Sequence, residues 1–114
     1  MTKGGLHVNI AERQKAEYRR LKGCLKDLDG NKLKTYDKLL KEASFLTATL
    51  EGLRETISKE GVTETYKNGA NQYGQKISAI VTTYDKLLNT YSKVMAQISK
   101  DLPEAEKELF SAWP

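Results

Sequence analysis

Three stretches of the chain place apolar residues at helical intervals, and one stretch between them does not. The first is Tyr18, Leu21, Leu25 and Leu28, in steps of three and four that put all of them on one helical stripe. Asn9 is a residue type that caps helix N-termini, and Glu12 three places later completes a capping box, so the pattern predicts a helix over 9–28. The turn residues Asp29-Gly30-Asn31 are expected to end it.

From Lys32 to Glu60 the residues Tyr36, Leu40, Ala43, Leu50, Leu53 and Ile57 keep close to a heptad seam, which Leu33, Leu39 and Leu46 widen. A helix over 32–60 follows, on the order of 40 Å long at ~1.5 Å per residue. Gly61 supplies its stop: left-handed at the first position past the helix, it would let Val62 fold back on Ile57, as in a Schellman motif. The third stretch, 78–101, is cleaner. Ile77, Ile80, Tyr84, Leu87, Tyr91, Val94 and Ile98 alternate steps of three and four, as in a coiled-coil seam. A second row, Val81, Leu88, Met95 and Leu102, runs beside it at intervals of seven. One helical neighbour needs one seam. Two adjacent seams predict a partner within the chain and another from a second subunit, which makes the second row the expected oligomer interface. The alternative is one wide stripe on a single intramolecular core.

Between the two long helices lies TYKNGANQYGQ, residues 65–75, which has no helical period. Asn68-Gly69 is a strong signal for a tight type I′ turn, and Thr63, Thr65, Tyr66 and Tyr73 suit strands. Residues 62–76 are expected to form a short β-hairpin or an ordered loop at the bend. Pro103 cannot continue the third helix, so 103–114 should be a short C-terminal helix or tail. Its Leu109, Phe110 and Trp113 suit docking to a partner or onto the chain's own core. The hexapeptide TYDKLL occurs twice, at 35–40 and 83–88, with flanks that do not match. It reads as two first-turn segments with Asp near the positive helix end, not as a functional repeat. The expected fold is all-α: a basic N-terminal helix, then a long antiparallel helical hairpin bent at 62–76, then the C-terminal helix, all within one domain.

Composition constrains this picture further. A chain of 114 residues fits one domain, and 39% hydrophobic against 30% charged residues is lean for a globule. Only two prolines occur, neither between Asn9 and Lys100, so long helices are permitted. The lone Cys24 excludes an internal disulfide framework and any multi-cysteine metal site, and fits a reduced interior. Residues 1–10 lack a secretory signal pattern, and no apolar run approaches the ~18 residues of a membrane span. A cytoplasmic protein is expected.

Charge changes the picture more. Residues 1–28 carry seven Lys or Arg against three acids, and the remaining 86 carry twelve of each sign. The whole net charge of +4 therefore sits in the first helix region. Lys15, Arg19, Lys22 and Lys26 fall within an arc of roughly 60° at ~100° per residue, about a quarter turn from the leucines. That arc, with Arg20 beside it, can face a polyanion while the leucines face the protein, because each phosphate neutralised releases counterions. No Asn or Gln shares the arc to read base edges, so it is expected to hold phosphates with shallow sequence preference. The alternative is a solvated basic face.

Catalytic signals are missing. His7 is the only histidine, so no histidine triad or multi-histidine metal site can be assembled. Cys24 has no partner that would make it a nucleophile, and no GxxxxGK[ST] phosphate loop is present. Neither an enzyme nor a cofactor is expected.

The run from Tyr18 to Pro103 resembles the short phage terminase small subunits of phages of Gram-positive hosts, over about three quarters of the chain. The residues that carry the resemblance are Ala43-Ser44-Phe45-Leu46 through Leu50-Glu51-Gly52-Leu53, and the passage from Tyr66 to Asn68-Gly69. Ser78-Ala79-Ile80-Val81 with Tyr84 and the closing Leu102-Pro103 complete it. The resemblance implies a non-enzymatic, helical, ring-forming homo-oligomer in the host cytoplasm. It would recognise viral double-stranded DNA and deliver it to the terminase large subunit, the ATPase–nuclease, with the C-terminal apolar residues as a docking segment. One departure stands out: many small subunits carry an N-terminal helix-turn-helix domain, and 28 residues with one helix are too few for it.

The competing class is a helical-hairpin interaction protein, secreted or cytoplasmic, that does not bind DNA. The secreted type carries Trp-x-Gly at the bend, whereas this bend has Tyr73-Gly74 and the sole tryptophan is Trp113. A small basic DNA-binding regulator would need a recognition helix that the pattern does not supply.

Overall fold

The computed structural model describes residues 5–25, 30–67, 69–70 and 72–100, with side chains from Ile10 onward. Helix α1 spans Gly5–Cys24, α2 Gly30–Glu60, strand β1 Thr63–Lys67, β2 Tyr73–Ile77, and α3 Ala79–Ser99. The described chain is mostly helical, with one two-stranded antiparallel hairpin between α2 and α3.

Helix α2 is the centre of the packing because it buries two faces. Ser44, Ala48, Glu51 and Glu55 share one face at ~100° per residue, and Arg13 of α1 reaches both glutamates there. On a neighbouring face Arg54 Nε donates to the Tyr84 hydroxyl at 3.4 Å, and Tyr91 of α3 joins the same buried core as Leu46 and Leu50 of α2. Ala43, Ser44, Thr47, Ala48 and Gly52 are all buried, and their small side chains let a helix approach on each side. The Ser44 hydroxyl donates to the Leu40 carbonyl at 2.6 Å, so its burial leaves no orphan polar group. The core joins Leu21 of α1 and Leu25 just past its end to Tyr36, Leu40, Leu46 and Leu50 of α2 and to Tyr91, Met95 and Ile98 of α3. Small residues at the crossings explain how a lean apolar content still closes a core.

Several local expectations are corrected. Helix α1 begins at Gly5, four residues before Asn9, so Asn9 and Glu12 lie within it and form no capping box. Extending an existing helix costs far less than nucleating one, and no proline stops it upstream. Gly30 and Asn31 open α2 instead of ending α1. Lys26 and Leu28 lie outside the described residues, as do Leu102, Leu109, Phe110 and Trp113. The repeated hexapeptide does not occupy first turns: neither α2 nor α3 has an acid in its first turn.

The bend forms a hairpin with a different turn and a different cap. Gly61 is left-handed at φ +85°, and its N–H donates to the Ile57 carbonyl at 2.7 Å. That is the simpler αL cap, not a Schellman motif. Val62 is 57% exposed, because its carbonyl accepts the Ser78 N–H at 2.9 Å and draws it into the base of the hairpin. Gly69 takes the left-handed conformation expected of it, at φ +95°. The last pair is Lys67↔Tyr73, however, so five residues make the connection where a type I′ hairpin has two. Ile77 ends β2 at 65% exposed and is no member of a helical seam. Ser78 caps α3 through its hydroxyl, which accepts the Ile80 N–H. Glu64 of β1 accepts the Ala79 N–H at 2.8 Å, so the hairpin itself satisfies a second open amide of α3.

Candidate nucleic-acid interface

Burial divides α1 into two faces. Leu21 and Leu25 are fully buried and Tyr18 and Cys24 partly so, whereas Lys15, Arg19 and Lys22 are exposed. The structure brings these three predicted cations onto one outer face. It does not bring Arg20 there. Arg20 donates from Nε and Nη2 to the two oxygens of Glu17 at 2.8 and 2.7 Å. Glu17 is only 7% exposed, and a carboxylate so buried needs a compensating charge and hydrogen bonds. The Arg20 fork supplies both, which holds its own pKa above the ordinary value and removes it from the outer row. Replacing Arg20 with Met should therefore destabilise the fold by on the order of 2–4 kcal/mol. Adding Glu17→Gln should recover most of the loss, read as the urea midpoint of the single and double variants.

Helix α2 contributes two cations that the sequence pattern did not single out. Lys15 of α1 and Lys41 of α2 border a cleft of about 280 Å³ with Ala11, Gln14 and Tyr18. Lys22 and Lys34 border the adjoining cleft of about 410 Å³ with Tyr18, Leu33 and Asp37. A signal was present: Lys34 and Lys41 are seven residues apart, hence on one face of α2, and residues 1–41 hold eleven Lys or Arg against five acids. Reading the charge of α1 alone hid it.

Asp37 is the acid inside this basic surround. It accepts a hydrogen bond from the Tyr18 hydroxyl, and Lys41 Nζ lies 3.1 Å from it. Lys22 Nζ stands 5.5 Å from the centre of the Tyr18 ring. The Tyr18 and Lys41 contacts hold the Asp37 carboxyl below the usual carboxylate range. The same carboxylate raises the pKa of Tyr18 and of Lys41. Because the folded value is the lower one, Asp37 adds stability above the ordinary Asp pKa, and the contribution disappears as pH falls through the depressed value. Asp37→Asn should flatten that part of the acid limb in a pH series of unfolding midpoints. It should also tighten binding of a polyanion by roughly two- to fivefold, the scale of one exposed charge, measured with a heparin or duplex DNA titration.

The second row of α3 is placed unevenly. Val81 and Leu88 remain partly exposed, while Met95 is 8% exposed within the chain's own core. Met95 is thus corrected from a contact between subunits to a contact within one, because α3 turns its Tyr91–Met95–Ile98 edge onto α2. Leu102 lies outside the described residues.

Among the described residues, no group of three or more His, Cys, Asp or Glu is placed to hold a metal ion. No described helix is long and apolar enough to cross a membrane. No family model, curated protein or solved structure matches this chain.

Proposed function

We propose that this chain is a DNA-holding, self-assembling subunit of the terminase small-subunit type. In this reading it acts in the host cytoplasm, binds duplex viral DNA and presents it to the large ATPase–nuclease subunit, with no cofactor and no catalytic step of its own. The observation that carries the reading is the exposed row Lys15, Arg19 and Lys22 on α1, about a quarter turn from its buried leucines, bordered by Lys34 and Lys41. Such a row suits a phosphate backbone, because the binding free energy comes largely from counterion release and needs no shaped pocket. The finer architecture belongs to the same reading: α2 and α3 form a long antiparallel helical hairpin, and the half-exposed Val81 and Leu88 face a second copy. A ring would array many basic rows, and their high effective concentration would make weak single contacts act together.

Leu88→Glu should disperse the assembly while leaving the monomer folded, since it would bury an unpaired charge between subunits but touches only the edge of the monomer's core. Light scattering and native mass measurement read the result. A variant that stays fully assembled places that row within the chain.

A second reading, a helical interaction protein without DNA binding, draws on Phe45, which stands 45% exposed on α2. The two readings separate in one titration: duplex DNA bound steeply less well as salt rises supports the first, and no binding at low salt supports the second.

A further inference from the structure

The hairpin β1–β2 does no packing that accounts for its sequence. Every described strand residue is exposed except Glu64 and Gly74, and the Tyr66 ring covers Gly74 so closely that a Cβ there would lie 2.8 Å from it. A lone two-stranded hairpin is marginal in water. This one is pinned at its base by the Ser78 and Ala79 amides, and the Tyr66 ring lies across the strands to Gly74 and Lys76. The result is a held ribbon in which Tyr66 partly covers one face and the other is exposed at every position. The register puts Thr63, Thr65, Lys67, Tyr73, Gln75 and Ile77 on that face, all exposed.

Its chemistry is specific. Five of the six side chains carry hydrogen-bonding groups, one is a cation, and none is an acid. The ribbon's single acid, Glu64, is on the other face and already accepts the Ala79 N–H. Gln75 does not wander: its Nε2 donates to the Thr65 hydroxyl at 2.8 Å, which leaves the amide oxygen and a second N–H to a ligand. An interface core between proteins is depleted in lysine and other charged groups; this face has Lys67 and a row of donors and acceptors.

We propose that this face of the hairpin enters the major groove of duplex DNA and reads base edges there. The inference rests on the DNA-binding reading above and supplies what the α1 row lacks, since lysines and arginines on phosphates position a protein without reading sequence. Two strands ~4.8 Å apart with their side chains match a groove about 12 Å wide, which admits a two-stranded ribbon. Gln75 suits the N6/N7 edge of adenine, Lys67 the O6/N7 edge of guanine, and the apolar Ile77 the methyl of thymine. Helix α2 ends at Glu60, nineteen residues beyond Lys41, and the hairpin follows it directly. That length is roughly 29 Å at ~1.5 Å per residue, within one ~34 Å turn of a duplex.

The test is selection from a random-sequence duplex pool, with the wild-type protein and a variant carrying both Lys67→Ala and Gln75→Ala. Both residues are exposed, so the variant should keep its fold and its native mass. The wild type should enrich a defined motif. The variant should bind the unselected pool within about threefold of wild type but discriminate the motif from scrambled duplex at least roughly tenfold less well. If the variant enriches the same motif, or if the wild type binds the pool and enriches nothing, the ribbon does not read bases and the inference is overturned while DNA binding stands. A variant that loses its assembled mass makes the hairpin a contact between copies, which also overturns it. Failure of the wild type to bind the pool at all removes the DNA reading and this inference together.

Discussion

Exchange of Lys15, Arg19, Lys22 and Lys26 for glutamine together should lower affinity for duplex DNA at least about tenfold at moderate salt. It should also reduce the slope of log K against log salt by about 0.9 for each phosphate no longer neutralised, some 3 to 4 for each engaged subunit. Three of these side chains stand exposed on the outer face of α1, so their replacement removes charge without removing packing. Arg20 is left in place because it holds buried Glu17. Native mass must show the oligomer intact, since dispersal alone would weaken binding by removing avidity. With the assembly intact, an unchanged affinity and slope would place DNA elsewhere on the protein or off it. The comparison with Asp37→Asn sharpens the result, because removing an acid from the same cleft should move affinity in the opposite direction.

Leu21→Ala should cost about 3 kcal/mol of stability, within the 2–5 kcal/mol found for deleting fully buried leucine side chains. Leu21 is 0% exposed and lies where α1 meets the core. The void it leaves cannot collapse easily between two helices that already meet through small residues on α2. Against a typical domain stability of 5–15 kcal/mol this is a large fraction, and it should appear as a lower urea midpoint with an unchanged m-value. Leu87→Ala, at a position only partly buried, should cost clearly less. Equal and small losses at both positions would mean that α1 is not seated on α2 as described.

The helices and the bend were legible in the sequence because their causes are local. An apolar period of three and four fixes where α2 and α3 run. Gly61 and Gly69 take the left-handed conformation that few other residues adopt readily. The hairpin follows from the turn signal and strand formers on either side of it. Boundaries were less legible: α1 ran past Asn9, and the turn closed on five residues instead of two, because packing and strand register outweigh one residue's preference.

Partnership could not be read from local pattern. Arg19 and Arg20 are neighbours in sequence, yet one is exposed and the other is held by Glu17. Lys34 and Lys41 join the α1 cations only because α2 folds back beside α1. Asp37 meets Tyr18 across nineteen positions of chain, and Met95 differs from Leu88 in burial although both stand on the same heptad row. Sequence by itself determined which segments are helical, where the chain bends and which face of α1 is basic, since these depend on torsions and periods spanning a few residues. Tertiary structure alone decided which charges are committed inside, which remain outside and which apolar residues are left uncovered. Those outcomes depend on the distance and desolvation between groups that only the packing of separate helices brings together.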